Sequence, residues 1–318
     1  MNNIKVSFIV VSYNEKEYIN EAINSILDLN IDYDYEIIIG DDGSNDGSID
    51  IIKDLQNKYN DKIKYFVMDR DEGLTSKNVI GAIRCSNVIK KGIDTATGDY
   101  ILILSADDYY IDKNFVNTAI DCMDSHKEYV ALIHDGYNLN KNKKNEYFDY
   151  PNSLFWSREY IHISNFFIRR TTELKNNLLD YFCDDTGMLY SILSTGEVKY
   201  TNKKVHEYRV NENGIMKSSD FNELMFMELM LYQDILNKND KKLRISSFRR
   251  FYTVFINLYH DKDKLNDEKY KKYQDYFDKT KNNIFDKMMK SSLIDRMIFM
   301  IKSYILVIYF YIWRKLYR

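Results

Sequence analysis

The chain has 318 residues, 45% of them hydrophobic and 29% charged, which excludes a disordered or multi-span membrane chain and allows a catalytic domain plus a substantial extension. Its net charge of -3 supplies no basic field for a polyanion, so nucleic acid is not an expected partner. Cys85, Cys122 and Cys183 are widely spaced with no CxxC pair, and the opening MNNIKVSFIVVSYN has neither a charged leader nor a cleavage site, so a cytoplasmic protein with reduced thiols is expected.

Val6 to Val11 is a β-branched run that predicts a strand. Asn14 then stands at an N-cap position with Glu17 three residues on, the spacing of a capping box, so a helix is expected to start there. Ile19, Ala22, Ile23, Ile26 and Leu27 fall on one face of it. The grammar repeats: a strand over 36–39, a Gly/Asp/Ser turn, a helix carrying Ile52, Leu55 and Tyr59, and a strand over 63–67. A further strand, Tyr100 to Leu104, precedes Ser-Ala-Asp-Asp. This alternation implies βαβ crossovers and a mainly parallel sheet, which binds ligands beyond the carboxyl ends of its strands, where the polar clusters fall. All eleven glycines lie between Gly40 and Gly214 and Pro151 is the only proline, so long helices are expected from 215 onward.

Three acidic pairs call for an explanation. Asp41-Asp42, in the turn GDDGSNDGS, serves equally well as a helix cap or as a ligand-binding group. Asp107-Asp108 follows the apolar run Ile101 to Leu104, which suits a fully buried strand and delivers two like charges into the crevice. Such a pair is costly without a cation, and a hard divalent ion, Mn2+ or Mg2+, matches it; an Asp cap on the next helix is the alternative. Asp184-Asp185 precedes Met188, Leu189, Ile192 and Leu193, a spacing that predicts a helix from near Thr186 and leaves both capping and catalysis open.

VVSYNEKEY, DDGSNDGS, GDYILILSADDYY and CDDTGML, in this order, resemble family 2 glycosyltransferases of the GT-A fold over roughly the first two-thirds of the chain. The resemblance implies a Rossmann-like α/β domain over 1–214, with a mainly parallel sheet flanked by helices; the glycine- and proline-free remainder, 215–318, is read as a helical region. The resemblance also implies an inverting transferase that moves a hexosyl or N-acetylhexosaminyl group from a nucleoside diphosphate sugar, with UDP the expected carrier, to a carbohydrate or lipid-linked acceptor in surface polysaccharide or glycolipid synthesis. In that scheme Val11 and Tyr13 border the nucleobase, Asp42 binds base or ribose, and Glu15 assists. Asp107 and Asp108 match the DxD-type metal position, with their separate roles left open; Ser105 stands where many relatives have a further Asp. Lys77, Asn78 and Arg84 are candidates near the phosphates, although a solvated helix face is the simpler reading of each. Asp185 matches the catalytic base. VHEYRVNENGI resembles the segment ending in Tyr-Arg-x-His, but Asn211 replaces the His, leaving His206 as a candidate metal ligand and Arg209 as a diphosphate contact.

Tyr147, Phe148, Tyr150, Phe155 and Trp156 are aromatic candidates for acceptor stacking or for simple packing. The segment 293–318 carries five Lys/Arg against a single Asp around SYILVIYFYIW, a run too short to span a bilayer. It reads either as an interfacial helix on the inner face of the membrane or as a helix buried in the body or in a homodimer. A catalytically inactive, membrane-associated scaffold on the same fold is the rival function.

Overall fold

A computed structural model describes residues 4–69, 77–134, 148–149, 161–180, 182–209, 227–232 and 234–235. Strand β1 (Val6–Ser12) lies between two parallel neighbours, β2 (Tyr35–Asp41) and β4 (Tyr100–Ser105). Phe8, Ile9 and Val10 are fully buried, as are Ile37 to Ile39 and the predicted run Ile101 to Leu104. Burial on both faces explains why these strands read as continuous apolar runs rather than alternating ones.

The sheet continues from β2 to β3 (Ile63–Val67) on one side. On the other, β4 is followed in space by β8 (Phe166–Arg169), β6 (Tyr129–His134), β9 (Glu197–Thr201) and β7 (Phe148–Asp149). Among these eight strands only β8 and β7 run against the rest, so the sheet is mainly parallel as expected. A separate two-stranded ribbon pairs β5 (Tyr109–Tyr110) with β10 (His206–Glu207).

Helices α1 (Ile19–Leu27), α2 (Ser48–Lys58) and α4 (Phe115–Ser125) share one core with the inner side chains of β1, β2 and β4. Helix α3 (Lys77–Thr95) lies against the opposite face, and a Cβ at its Gly92 would come within 2.5 Å of Ile9, so the close approach requires glycine. Ile19, Ala22, Ile23 and Ile26 are buried as their spacing predicts, while Tyr59 stands just past the end of α2.

The expected capping box does not form. Helix α1 starts at Ile19, and Tyr18 precedes it without a side-chain cap. Asn14 instead adopts a left-handed backbone, φ 56°, accepts a hydrogen bond from the Asn45 N–H (3.0 Å) and donates its own N–H to Ser44 Oγ (2.8 Å). A short amide side chain that finds a partner on another loop is no longer available to the helix. These bonds lace the loop after β1 to the loop after β2.

The chain divides into two compact units, Met1–Ser218 and Ser219–Arg318. In the second, 227–232 and 234–235 are helical, with Leu229, Leu231, Tyr232 and Ile235 buried. The remaining helices expected beyond 215, the tail over 293–318 and Asn211 lie outside the described residues. No helix among the described residues is long and apolar enough to cross a membrane.

Candidate active site

The register places Ser12 beside Asp41 and Val11 beside Ser105, so the loops after β1, β2 and β4 open along one edge of the sheet. Val11 holds that edge together, its carbonyl accepting from the Ala106 N–H at 2.9 Å. In the β2 loop the two carboxylates divide their work. Asp41 is the local cap, accepting from Ser44 N–H and Ser44 Oγ, both at 2.7 Å. Asp42 instead receives Arg84 Nε at 2.9 and 2.7 Å from its two oxygens, in a pair whose side chains are only about a tenth exposed. Arg84 therefore reaches the site from α3, held by the residue expected to touch base or ribose. Tyr13, on the β1 loop, is exposed. Lys77 and Asn78 open α3, and their side chains lie outside the described residues.

At the end of β4 the chain turns through Asp107 and Asp108. Asp108 is buried, and its Oδ1 accepts from the Arg209 N–H at 2.9 Å. Its Oδ2 faces Ser164 Oγ at 3.5 Å, His162 Nδ1 at 3.4 Å and His206 Nε2 at 4.0 Å. Burial, reinforced by Asp107 and Asp185, pushes the Asp108 carboxyl up to about 6 against the lowering effect of His162 and the Arg209 N–H. Burial, with the electrostatic effect of His162 and Lys204, lowers His206 to about 3, which keeps its ring neutral. The rings of His162 and His206 are stacked, their centroids 5.3 Å apart.

One atom from each of Asp108, His162 and His206 lies within 4.8 Å of the others. His162 Nδ1 accepts from the Ser164 N–H, so it carries a lone pair. His206 Nε2 is buried and has no hydrogen-bond partner among the described residues. A carboxylate and two imidazole nitrogens thus come together, the His162 Nδ1 lone pair being shared with the Ser164 N–H, and this donor set fits a divalent cation. Asp108 belongs to this group; Asp107 does not.

Residues 162–165 tie the group to the predicted base. Within the short 3-10 turn Ile163–Asn165 and the His162 before it, each residue reaches one of the candidate side chains. His162 and Ser164 face Asp108, the Ile163 N–H donates to Asp185 Oδ1 at 2.6 Å, and Asn165 Oδ1 bonds His206 Nδ1 at 2.9 Å. Asp185 is the first residue of α6 (Asp185–Thr195), which follows α5 (Thr172–Asn177), so the helix starts one residue before Thr186. There the dipole of α6 favours a carboxylate. Its neighbour Asp184 precedes the helix without a side-chain cap bond, and burial, with the charge of Asp185, raises it to about 7.

Glu15 also faces this cluster. Burial, then the charges of Asp107, Asp46 and Asp108, pushes it up to about 8. Arg209 is brought to the same place, but its guanidinium is occupied: Nε donates to the Asp107 carbonyl at 2.9 Å and an Nη to Glu21 at 2.6 Å, while Tyr18 and Tyr109 offer ring faces at 4.7 and 5.2 Å. Of the acceptor candidates, Phe148 contributes backbone to β7 and the others lie outside the described residues. Tyr208, half exposed and 5.2 Å from the His162 ring, stands at the lip instead. Sequence reasoning missed His162, Ser164 and Asn165. Their roles depend on β8 pairing antiparallel beside β4, which no local spacing encodes.

Fold and site together define an α/β protein whose carboxylates gather, with a group able to hold a cation, at the carboxyl ends of its strands, where such sheets bind their ligands. Residues 7–196 match Glycosyl transferase family 2, and the chain belongs to that family. An uncharacterized glycosyltransferase of Nostoc sp. is 38% identical over 108 residues, covering 34% of this chain and 29% of the relative. The poly(ribitol-phosphate) beta-N-acetylglucosaminyltransferase TarS of Staphylococcus aureus is 28% identical over 246 residues, 70% of this chain and 39% of TarS. The chain thus spans about a third of the length of these curated relatives. A crystal structure of S. aureus TarS 1-349 in complex with UDP-GlcNAc shares the GT-A fold, with a TM-score of 0.57 at 18% identity over 80% of this chain and 73% of that one. The mannosyltransferase PcManGT of Pyrobaculum calidifontis, solved with GDP-Man and Mn2+, superposes with a TM-score of 0.51 at 14% identity over 95% of this chain and 80% of that one.

Proposed function

We propose that this protein is an inverting glycosyltransferase that moves a sugar from a nucleoside diphosphate sugar, with UDP the expected carrier, to an acceptor hydroxyl. The observation that carries the reading is the 162–165 turn, which holds Asp185 and the Asp108/His162/His206 group in one crevice. TarS, named for N-acetylglucosamine transfer to a ribitol-phosphate polymer, favours a hexosaminyl donor and a surface-polymer or glycolipid acceptor.

Asp185 is the base. The Ile163 N–H fixes one of its oxygens, and the other takes the proton of the acceptor hydroxyl as that oxygen attacks the anomeric carbon opposite the diphosphate. The C–O bond to the diphosphate breaks as the new one forms, so configuration inverts through an oxocarbenium-like transition state. Asp108, His162 and His206 would hold the cation, and two imidazoles beside one carboxylate favour Mn2+ over Mg2+. A cation held there supplies Lewis-acid stabilisation of the charge on the departing diphosphate. Tyr13 and Asp42 line the nucleoside side. The basic tail over 293–318 would keep the enzyme on the inner face of the membrane, near a lipid-linked acceptor.

Calorimetric titration of UDP, GDP and their sugars, with and without Mn2+, tests the reading. Metal-dependent binding of a nucleoside diphosphate is expected, and Asp185→Asn should keep it while slowing sugar transfer by about 10²- to 10⁴-fold. The absence of metal-dependent nucleotide binding would favour the scaffold function instead.

A further inference from the structure

We propose that Asn165 is a positioning residue that selects the tautomer of His206 and thereby presents the His206 Nε2 lone pair to Asp108. The inference rests on the metal-binding reading of the site and assigns a role to a residue that would touch neither metal nor substrate.

Both partners are fixed and dry. Asn165 closes the 3-10 turn, is 6% exposed, and donates its N–H to the His162 carbonyl at 3.0 Å. His206 is 5% exposed and lies in β10, paired with Tyr110 of β5, so its backbone cannot drift from the site. The amide oxygen Oδ1 stands 2.9 Å from His206 Nδ1. With the amide oxygen turned to the ring, as it is here, Nδ1 carries the ring proton and Nε2 the lone pair. That Nε2 is buried, has no hydrogen-bond partner among the described residues, and faces Asp108 Oδ2 at 4.0 Å.

With the amide held in this orientation, the other tautomer would set the Nδ1 lone pair against the Asn165 oxygen, two acceptors at hydrogen-bond distance. It would also point an N–H at Asp108, into the position where a cation would sit. Partners behind a ligating histidine commonly fix its tautomer in this way, and removing one weakens metal binding by about 10- to 100-fold.

Two measurements test the assignment on the full chain. With histidine labelled at both ring nitrogens, long-range proton–nitrogen spectra of the metal-free protein resolve its five histidines. His206 should be protonated at Nδ1 in the wild type and in Asn165→Asp, whose carboxylate also accepts, and should lose that preference in Asn165→Leu. Titration with Mn2+ alone should show Asn165→Leu weakened by about 10- to 100-fold and Asn165→Asp within about threefold of wild type. An Nε2-protonated His206 in the wild type would overturn the proposal even if Asn165→Leu fails to fold. So would a folded Asn165→Leu that binds Mn2+ as tightly as wild type. If the wild type binds no Mn2+ at all, the metal reading fails, and the purpose given to Asn165 fails with it, whichever tautomer is found.

Discussion

Glu36 offers the sharpest test of how the sheet holds the site in place. Its side chain is buried at the amino end of β2. Oε1 accepts three hydrogen bonds, from Ser7 Oγ, Thr97 N–H and Thr97 Oγ1, each at 2.7 Å, while Oε2 takes Lys64 Nζ at 2.8 Å. Ser7 Oγ in turn accepts from the Gly98 N–H at 2.9 Å, so one carboxylate joins β1, β2, β3 and the turn entering β4. Glu36→Gln keeps an oxygen for the three buried donors and turns its NH2 toward Lys64, which is exposed and can move into water. Charge-assisted bonds become neutral ones, losing about 1 kcal/mol each, partly offset by the cheaper burial of an amide, for a net loss of about 1–2 kcal/mol. Glu36→Leu strands the donors, and at about 1–3 kcal/mol each the loss is about 4 kcal/mol or more. For a unit the size of Met1–Ser218, this corresponds to Tm decreases of about 2–8 °C and about 8–16 °C. The bonds hold Glu36 below its ordinary carboxylate value even though burial opposes them. A depressed carboxyl contributes stability that is complete above the unfolded-state value and lost as pH falls through the folded one. The wild-type Tm should therefore decline on acidification below about pH 4.5, with a flatter limb in Glu36→Gln. Thermal unfolding of the three proteins across pH 3 to 7 measures both effects. Equal losses in the two variants, or a neutral Glu36→Leu, would refute the accounting.

Asp108→Asn should weaken Mn2+ binding by at least about 100-fold, more than loss of a partner behind a ligand, whereas Asp107→Asn should stay within about tenfold; titration with Mn2+ separates them. Arg84→Met leaves the Asp42 charge buried without its partner and should lower stability by about 3 kcal/mol, largely recovered in the double variant with Asp42→Asn, as urea unfolding would show. At Asn14, Ala must adopt a left-handed backbone and also loses the bond from Asn45, costing about 2 kcal/mol, while Gly loses the bond alone, costing about 1 kcal/mol; similar unfolding midpoints for the two would argue against strain.

The parallel half of the sheet was legible because both its faces are buried, so β1, β2 and β4 appear as apolar runs that end in polar turns. The candidate site was legible where a local run precedes a residue, as β4 precedes Asp108 and the start of α6 carries Asp185, and where a motif names one, as for His206. Asn14 was misread because capping and cross-loop bonding draw on the same residue types, and only the approach of Ser44 and Asn45 decides between them. Arg84 looked like any solvated helical arginine until the fold set it on Asp42. His162, Ser164 and Asn165 carry no spacing signal, since they matter only once β8 lies beside β4.

Charge balance argues that donor and cation should bind together. Glu15, Asp107, Asp108 and Asp185 lie close enough to act on one another's charge, and burial already drives Glu15 and Asp108 toward their protonated forms. Among the described residues, the two arginines at the site are committed, Arg84 to Asp42 and Arg209 to Glu21 and the Asp107 carbonyl. A bare diphosphate would therefore meet repulsion. The Arg209–Glu21 pair is the weaker link: the Glu21 side chain is half exposed, and such a pair is worth about 0–1 kcal/mol. The faces of Tyr18 and Tyr109 can carry the guanidinium as it turns inward. If Arg209 moves to the diphosphate, Arg209→Ala should weaken UDP binding in the presence of Mn2+ by about tenfold, roughly one charge-assisted hydrogen bond, and leave uridine binding unchanged. A parallel loss of both ligands would show instead that the residue supports the fold of the β5–β10 ribbon, and no loss of either would remove it from the donor site.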